Sequence, residues 1–176
     1  MNTYQIIAQI VALIIIVLMA VGSHPKTQNK ILLYQVSINF LYIIHYKLLG
    51  ADVAVVISII NTIRTFIFFL YGTKNKHTPL WLLIMIFAIS IGAGIYRWTD
   101  WTSIFPILAT LIYTYGQWQL DPQNTRKSII GGDICWVIYN FFVFGYVNLI
   151  GKIIEIISTS IAHYRYSITH DLTAGK

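Results

Sequence analysis

Three residues stand out for the chemistry they could do. Arg64, Asp133 and Glu155 each lie in an otherwise apolar run of the 176-residue chain. A charge near the middle of a bilayer costs about 2.5–3.5 kcal/mol on insertion scales, so each such residue needs a partner, water or a task. Two readings hold for Arg64: it pairs with Asp133 or flanks an inner gate with it, or its long stem lets the guanidinium snorkel to the headgroups. Two also hold for Glu155: it carries a coupling proton, or it pairs with Lys152 three residues earlier. Around these charges run neutral polar residues at helical spacing. Ser58, Asn61, Thr62 and Thr65 recur at i, i+3, i+4, i+7, which is one face of a helix. Gln35, Asn39, Tyr42 and Tyr46 share a second face, Asp133, Trp136 and Asn140 a third, and Glu155, Ser158, Thr159 and Ala162 a fourth.

By position, Asn39, Asn61, Trp136, Asn140 and Ser158 fall near the middle of their apolar runs. Amides and aromatic faces at that depth suit a polar, uncharged solute with a flat or sugar-like body, held by hydrogen bonds and stacking. The same residue types also join membrane helices to one another, at about 0.6 kcal/mol per bond. Ligand contact and helix glue therefore stand side by side as readings of these positions.

The elements that must position these side chains follow from composition. Hydrophobic residues make up 57% of the chain and charged residues 10%, far from the roughly 25% charged of a soluble domain. Such a chain belongs in lipid, where spans of this kind are helices because every backbone group must be paired internally. Seven spans are expected, over about Tyr4–Val21, Ile31–Leu49, Val53–Tyr71, Leu80–Tyr96, Thr102–Gln119, Ser128–Val147 and Leu149–Tyr164. Turns are expected at Gly50-Ala51-Asp52 and, between the last two spans, near Asn148 or Gly151-Lys152. Tyr4, Trp81, Trp98, Trp101 and Trp118 sit at span ends, as interface anchors do.

Lys26, Lys30, Lys74, Lys76, Arg126, Lys127, Arg165 and Lys176 fall on one side of this arrangement, and Lys47, Arg97 and Lys152 on the other. The richer side is cytoplasmic by the positive-inside rule, which puts the N-terminus outside and the C-terminus inside. An odd number of spans is then required, and seven meets that.

Slid by 97 positions, segment 1 falls on 5, segment 2 on 6 and segment 3 on 7; Pro25 meets Pro122, Lys30 meets Lys127, Tyr42 meets Tyr139 and Thr62 meets Thr159. Two three-helix units joined directly would be inverted relative to each other. One extra crossing restores a common orientation, giving parallel repeats about an axis along the membrane normal. The fourth segment, Leu80–Tyr96, supplies that crossing. The expectation is one membrane domain over 1–176: a first three-helix repeat in 1–72, a linker helix at 80–96 and a second repeat in 100–166.

This all-α integral membrane arrangement, three helices, a linker and three more (3+1+3), resembles the SWEET and PQ-loop superfamily of membrane transporters, with bacterial nicotinamide riboside transporters similar to it. The superfamily's proline-glutamine pair is matched only by Pro122-Gln123, in a loop between spans. In length and sequence character the chain resembles the YgjV-type bacterial inner-membrane family. That resemblance implies a fold and the bacterial inner membrane as location more firmly than an activity.

Enzyme chemistry is not expected. There is no HExxH, Walker loop or GxGxxG. The single Cys135 and five dispersed histidines form no metal-ligand spacing, so neither metal nor cofactor is implied. The net charge of +6 is scattered between the spans and points to membrane loops rather than nucleic acid. The implied partners are the lipid bilayer and a small polar solute. Two functions are expected to compete: a facilitator or ion-coupled transporter working by rocking two three-helix bundles about a midplane site, and a non-transporting inner-membrane structural or assembly protein.

Overall fold

The computed structural model describes residues 3–50, 52–74, 76–96, 98, 100–142, 144 and 146–174, with the side chains at 5, 52–54, 56, 146, 147 and 168–174 outside the described set. Ala51, Arg97 and Lys176, which enter the expected turn and the charge count, lie outside the described residues. Among those described there are seven α-helices and no strand: α1 (Thr3–Gly22), α2 (Gln28–Leu48), α3 (Asp52–Thr73), α4 (Leu80–Tyr96), α5 (Ile104–Trp118), α6 (Pro122–Phe142) and α7 (Tyr146–Ala174), with a 3-10 turn at Trp101–Ser103 leading into α5. The all-α architecture expected from composition is present, and α4 has the expected bounds.

Helix α7 runs on to Ala174, past the Tyr164 expected as its end, so the polar stretch after the last expected span is helical. Two further boundaries differ from expectation. Helix α6 starts at Pro122 rather than at Ser128. Asp121 caps it, accepting from the backbone N–H groups of Gln123 at 3.1 Å and Asn124 at 3.2 Å, and Pro122 loses nothing at a first helical position whose N–H would be orphaned anyway. Its first two turns, PQNTRK, are polar and so carry no apolar periodicity to reveal them. The Pro122-Gln123 pair accordingly opens a helix instead of lying in a loop.

The second of these is the turn between α6 and α7. It falls between the end of α6 at Phe142 and the start of α7 at Tyr146, ahead of both expected positions, and Phe144 there adopts φ 57°. Few bulky residues take this left-handed conformation; the sequence carries Gly145 directly after Phe144, a turn residue that the expected positions passed over. One consequence is decisive for the interior: Lys152, expected at the edge of the last span and counted among the outer cations, lies well inside helix α7.

Helices α1, α2 and α3 pack in sequence, as do α5, α6 and α7. The two sets meet where α1 touches α7, α3 touches α5 and α2 touches α6, while α4 lies against α5. Leu32, Phe68, Leu82 and Ile86 bind α2, α3 and α4 in one apolar cluster, and Ile15, Met19 and Ile38 bind α1 to α2 in another. The α5–α6 seam is built on small residues. Gly116 lies against Ser128, Gly131 against Ile112, and Gly132 against the Tyr113 ring.

The distribution of polarity is the reverse of that in a soluble protein. Leu13, Val17, Ile63, Ile84, Phe141 and Ile157 are exposed, whereas Thr65, Thr114, Arg126 and Asp133 are buried. Exposed aliphatic surface on this scale marks a surface that meets something apolar. Among the described residues, however, no helix is long and apolar enough to cross a membrane, contrary to the expectation of seven spans. Helix α4 has 17 residues, and α2, α6 and α7 interrupt their apolar runs with the polar side chains that they turn inward.

Candidate functional site

The inward polar faces surround a cavity of about 200 Å³. Helix α2 contributes Gln35, Asn39, Tyr42 and Tyr46, the whole of the face read from its spacing; α3 contributes Ser58, Asn61 and Arg64. Trp136 and Asn140 of α6 and Asn148, Lys152 and Glu155 of α7 complete the far wall. Thr110, Tyr113 and Gln117 of α5 also line it. These last were missed from the sequence, although Thr110, Tyr113, Thr114 and Gln117 follow the same i, i+3, i+4, i+7 template as the stripe of α3.

Lys152 organises the charges. Its Nζ lies 2.7 Å from Asp133 Oδ1 and 2.7 Å from Glu155 Oε2. Tyr113 donates its hydroxyl to Asp133 Oδ1, and Gln35 Nε2 donates to Glu155 Oε1 at 3.2 Å. The Tyr113 ring centroid is 5.9 Å from Lys152 Nζ. Asp133 and Glu155 are 0% and 2% exposed, and Asp133 Oδ2 is buried with no hydrogen-bond partner. A buried carboxylate oxygen with a missing partner is costly, and its lone pairs are open to a proton.

The expected Glu155–Lys152 pair is therefore present, whereas Asp133 is paired with Lys152 and not with Arg64. Arg64 donates through Nη1 to Thr114 Oγ1 at 3.2 Å, is 7% exposed, and has a buried Nε with no partner. It does not snorkel, since its guanidinium turns across the bundle to α5. The physical reason for the changed pairing is the position of the α6–α7 turn, which carries Lys152 into the bundle beside Asp133.

Of the residues expected to touch a solute, Asn39, Asn61, Trp136 and Asn140 line the cavity and Ser158 does not. Ser158 belongs instead to a cluster that closes one end of the bundle. It donates to the Ala20 carbonyl and lies 3.0 Å from His24 Nε2, while the neighbouring Thr159 hydroxyl is 2.7 Å from that of Ser23. Arg126, 1% exposed, reaches from α6 to the same segment. Its Nε donates to Ser23 O at 2.8 Å, its Nη2 to Pro25 O at 2.6 Å and its Nη1 to Gln123 Oε1 at 3.1 Å. The ring of Tyr166 covers the guanidinium at 4.6 Å. Sequence reasoning counted Arg126 only as a loop cation, because α6 was expected to begin after it.

The glue reading holds for Ser158 and Thr159, while the Thr62 hydroxyl bonds back to Ser58 O of its own helix at 2.7 Å. Asn39 combines both readings, donating to Thr65 Oγ1 of α3 at 3.4 Å while lining the cavity; Asn140 lines the cavity and donates to Trp136 O of its own helix at 2.7 Å.

Comparison with known proteins adds a family to this geometry. Residues 6–170 match the family model Imp-YgjV, described as bacterial inner membrane protein. The chain is also similar to inner membrane protein YgjV of Escherichia coli (strain K12), at 25% identity over 99 residues, which is 56% of this chain and 51% of that one. The match thus spans about half the length of the curated relative. No solved structure matches the chain.

Proposed function

The chain belongs to the Imp-YgjV family of bacterial inner membrane proteins, and from that premise we propose that it carries a small polar solute across the inner membrane through the cavity between its helices. The observation that carries this reading is the reversed polarity: aliphatic side chains cover the outside, while five helices turn polar and charged groups into a shared interior space. A helix too interrupted to cross lipid alone crosses as part of a bundle when its polar face is hidden from the acyl chains.

Two parallel three-helix repeats, 1–72 and 100–166, joined by α4 at 80–96 in a SWEET-like 3+1+3 arrangement, agree with the packing. Exchanging α1 with α5, α2 with α6 and α3 with α7 turns the α1–α7 contact into the α5–α3 contact and leaves α2–α6 in place. That is the pattern of a two-fold axis through the α2–α6 contact. Helix α4 contributes no side chain to the cavity, as expected of a linker. With the N-terminus outside and the C-terminus cytoplasmic, the cluster around Arg126 closes the cytoplasmic end. Transport then consists of rocking the two units about the cavity.

Coupling falls to Asp133. Both oxygens of Glu155 have partners, whereas Oδ2 of Asp133 has none and can hold a proton. Asp133 is faced by Tyr113 from α5 and by Lys152 and Glu155 from α7, with Arg64 of α3 and Tyr42 and Tyr46 of α2 around the same cavity.

The test is thiol labelling of single cysteines at 39, 61, 136 and 158 in a Cys135→Ser background in membranes. Labelling at the first three with protection at 158 is the expected outcome. Protection at all four would replace transport by a packed, non-transporting membrane component.

A further inference from the structure

Arg64 is a buried cation without a counter-ion. Among the described residues no carboxylate pairs with it: Asp133 and Glu155 are both taken by Lys152, and the guanidinium has only the Thr114 hydroxyl at 3.2 Å. Its side chain lines the cavity, its Nε is buried and unpartnered, and it is 7% exposed. A guanidinium costs free energy in such a place unless something with negative charge completes it, and its planar fork suits the two oxygens of a carboxylate.

We propose that the solute is a small soluble monoanion bearing a carboxylate, which docks on Arg64; this deepens the transport reading and rests on it. Charge counting selects the monoanion. With a proton on the free oxygen of Asp133, the Asp133–Lys152–Glu155 cluster is neutral, and Arg64 is the single uncompensated charge in the cavity. A monoanion cancels it, whereas a dianion leaves a net negative charge in a low-dielectric interior. The remainder of the lining sets the other end of the solute. Asn39, Asn61 and Gln117 offer amides and Trp136 a flat face, which suits a hydroxylated or amide-bearing body of a few heavy atoms in a space of about 200 Å³.

The probe is lactate, compared with lactamide as its uncharged match and with chloride at equal ionic strength, each titrated against the thermal unfolding of the purified full chain in detergent. Lactate is expected to raise the unfolding midpoint of the natural sequence by about 3 °C or more at saturation, with lactamide and chloride giving no shift. Arg64→Gln is expected to abolish the lactate shift. Arg64→Lys, which keeps the charge but loses the fork, is expected to retain a shift with an apparent dissociation constant raised about tenfold.

No lactate shift in the natural sequence, or an equal response to lactamide or chloride, would overturn the proposal. So would a lactate shift that survives intact in Arg64→Gln. Cysteine labelling keeps the two readings apart: labelled positions 39, 61 and 136 without a lactate effect would refute the anion while leaving transport standing. Protection of those positions would refute transport itself.

Discussion

Removing the ammonium of Lys152 would leave the carboxyl groups of Asp133 and Glu155 buried without the cation that joins them. Lys152→Met is therefore expected to lower stability by about 3–5 kcal/mol, the usual consequence of breaking a buried ion pair from one side, measured as unfolding in detergent. Adding Asp133→Asn and Glu155→Gln to the same chain removes the stranded charges and is expected to recover most of the loss; no recovery would mean that Lys152 acts through packing. Asp133→Asn alone keeps the shape, the Tyr113 contact and the Lys152–Glu155 pair. It is expected to leave a folded protein that no longer accumulates solute in response to an imposed proton gradient across proteoliposomes. How far these residues were legible in the sequence divides on one backbone torsion. The i, i+3 spacing of Lys152 and Glu155 announces their pairing. The partner of Asp133 is not announced, because the turn at Phe144 rests on a bulky residue in a left-handed conformation and because pairing across helices depends on where each helix starts.

At the scale of single helices, the α5–α6 seam offers the clearest test. A Cβ built on Gly132 would come 2.5 Å from Tyr113 Cε1, and Tyr113 holds Asp133. Gly132→Ala should cost about 1–3 kcal/mol, as overpacking does, while disturbing the charge cluster through the displaced ring. Gly92 of α4 has open space where its Cβ would go, so Gly92→Ala should stay within about 0.5 kcal/mol of the natural chain. Unfolding of both variants in the same detergent checks the contrast. The polar stripes of α2 and α3 were legible because 3.6-residue periodicity survives in an apolar background, and the face of α2 enters the cavity complete. The start of α6 was hidden by its polar first turns. The seam itself was not legible, since Gly116, Gly131 and Gly132 show only as small residues until α5 is laid against α6.

At the scale of the whole molecule, the two bundles are joined at one end by Ser23–Thr159 and by the reach of Arg126 to the carbonyls of Ser23 and Pro25. Cysteines replacing Ser23 and Thr159 in a Cys135→Ser background should form a reducible cross-link. Labelling of a third cysteine at position 39 from the cytoplasmic side is then expected to fall at least tenfold under oxidation and to return with reductant, while labelling from outside persists. Unchanged labelling from both sides would mean that this end does not open. Helix α4 contributes no lining residue to the cavity, and it is held by Leu82 and Ile86 against α2 and α3, by α5 along its length, and at its entry by the Trp118 indole donating to Thr78 O at 2.8 Å. Those contacts do not depend on the peptide bonds that precede it. A chain severed ahead of Thr78 and supplied as two polypeptides is therefore expected to reassemble, with α4 as the adhesive edge by which the two find each other.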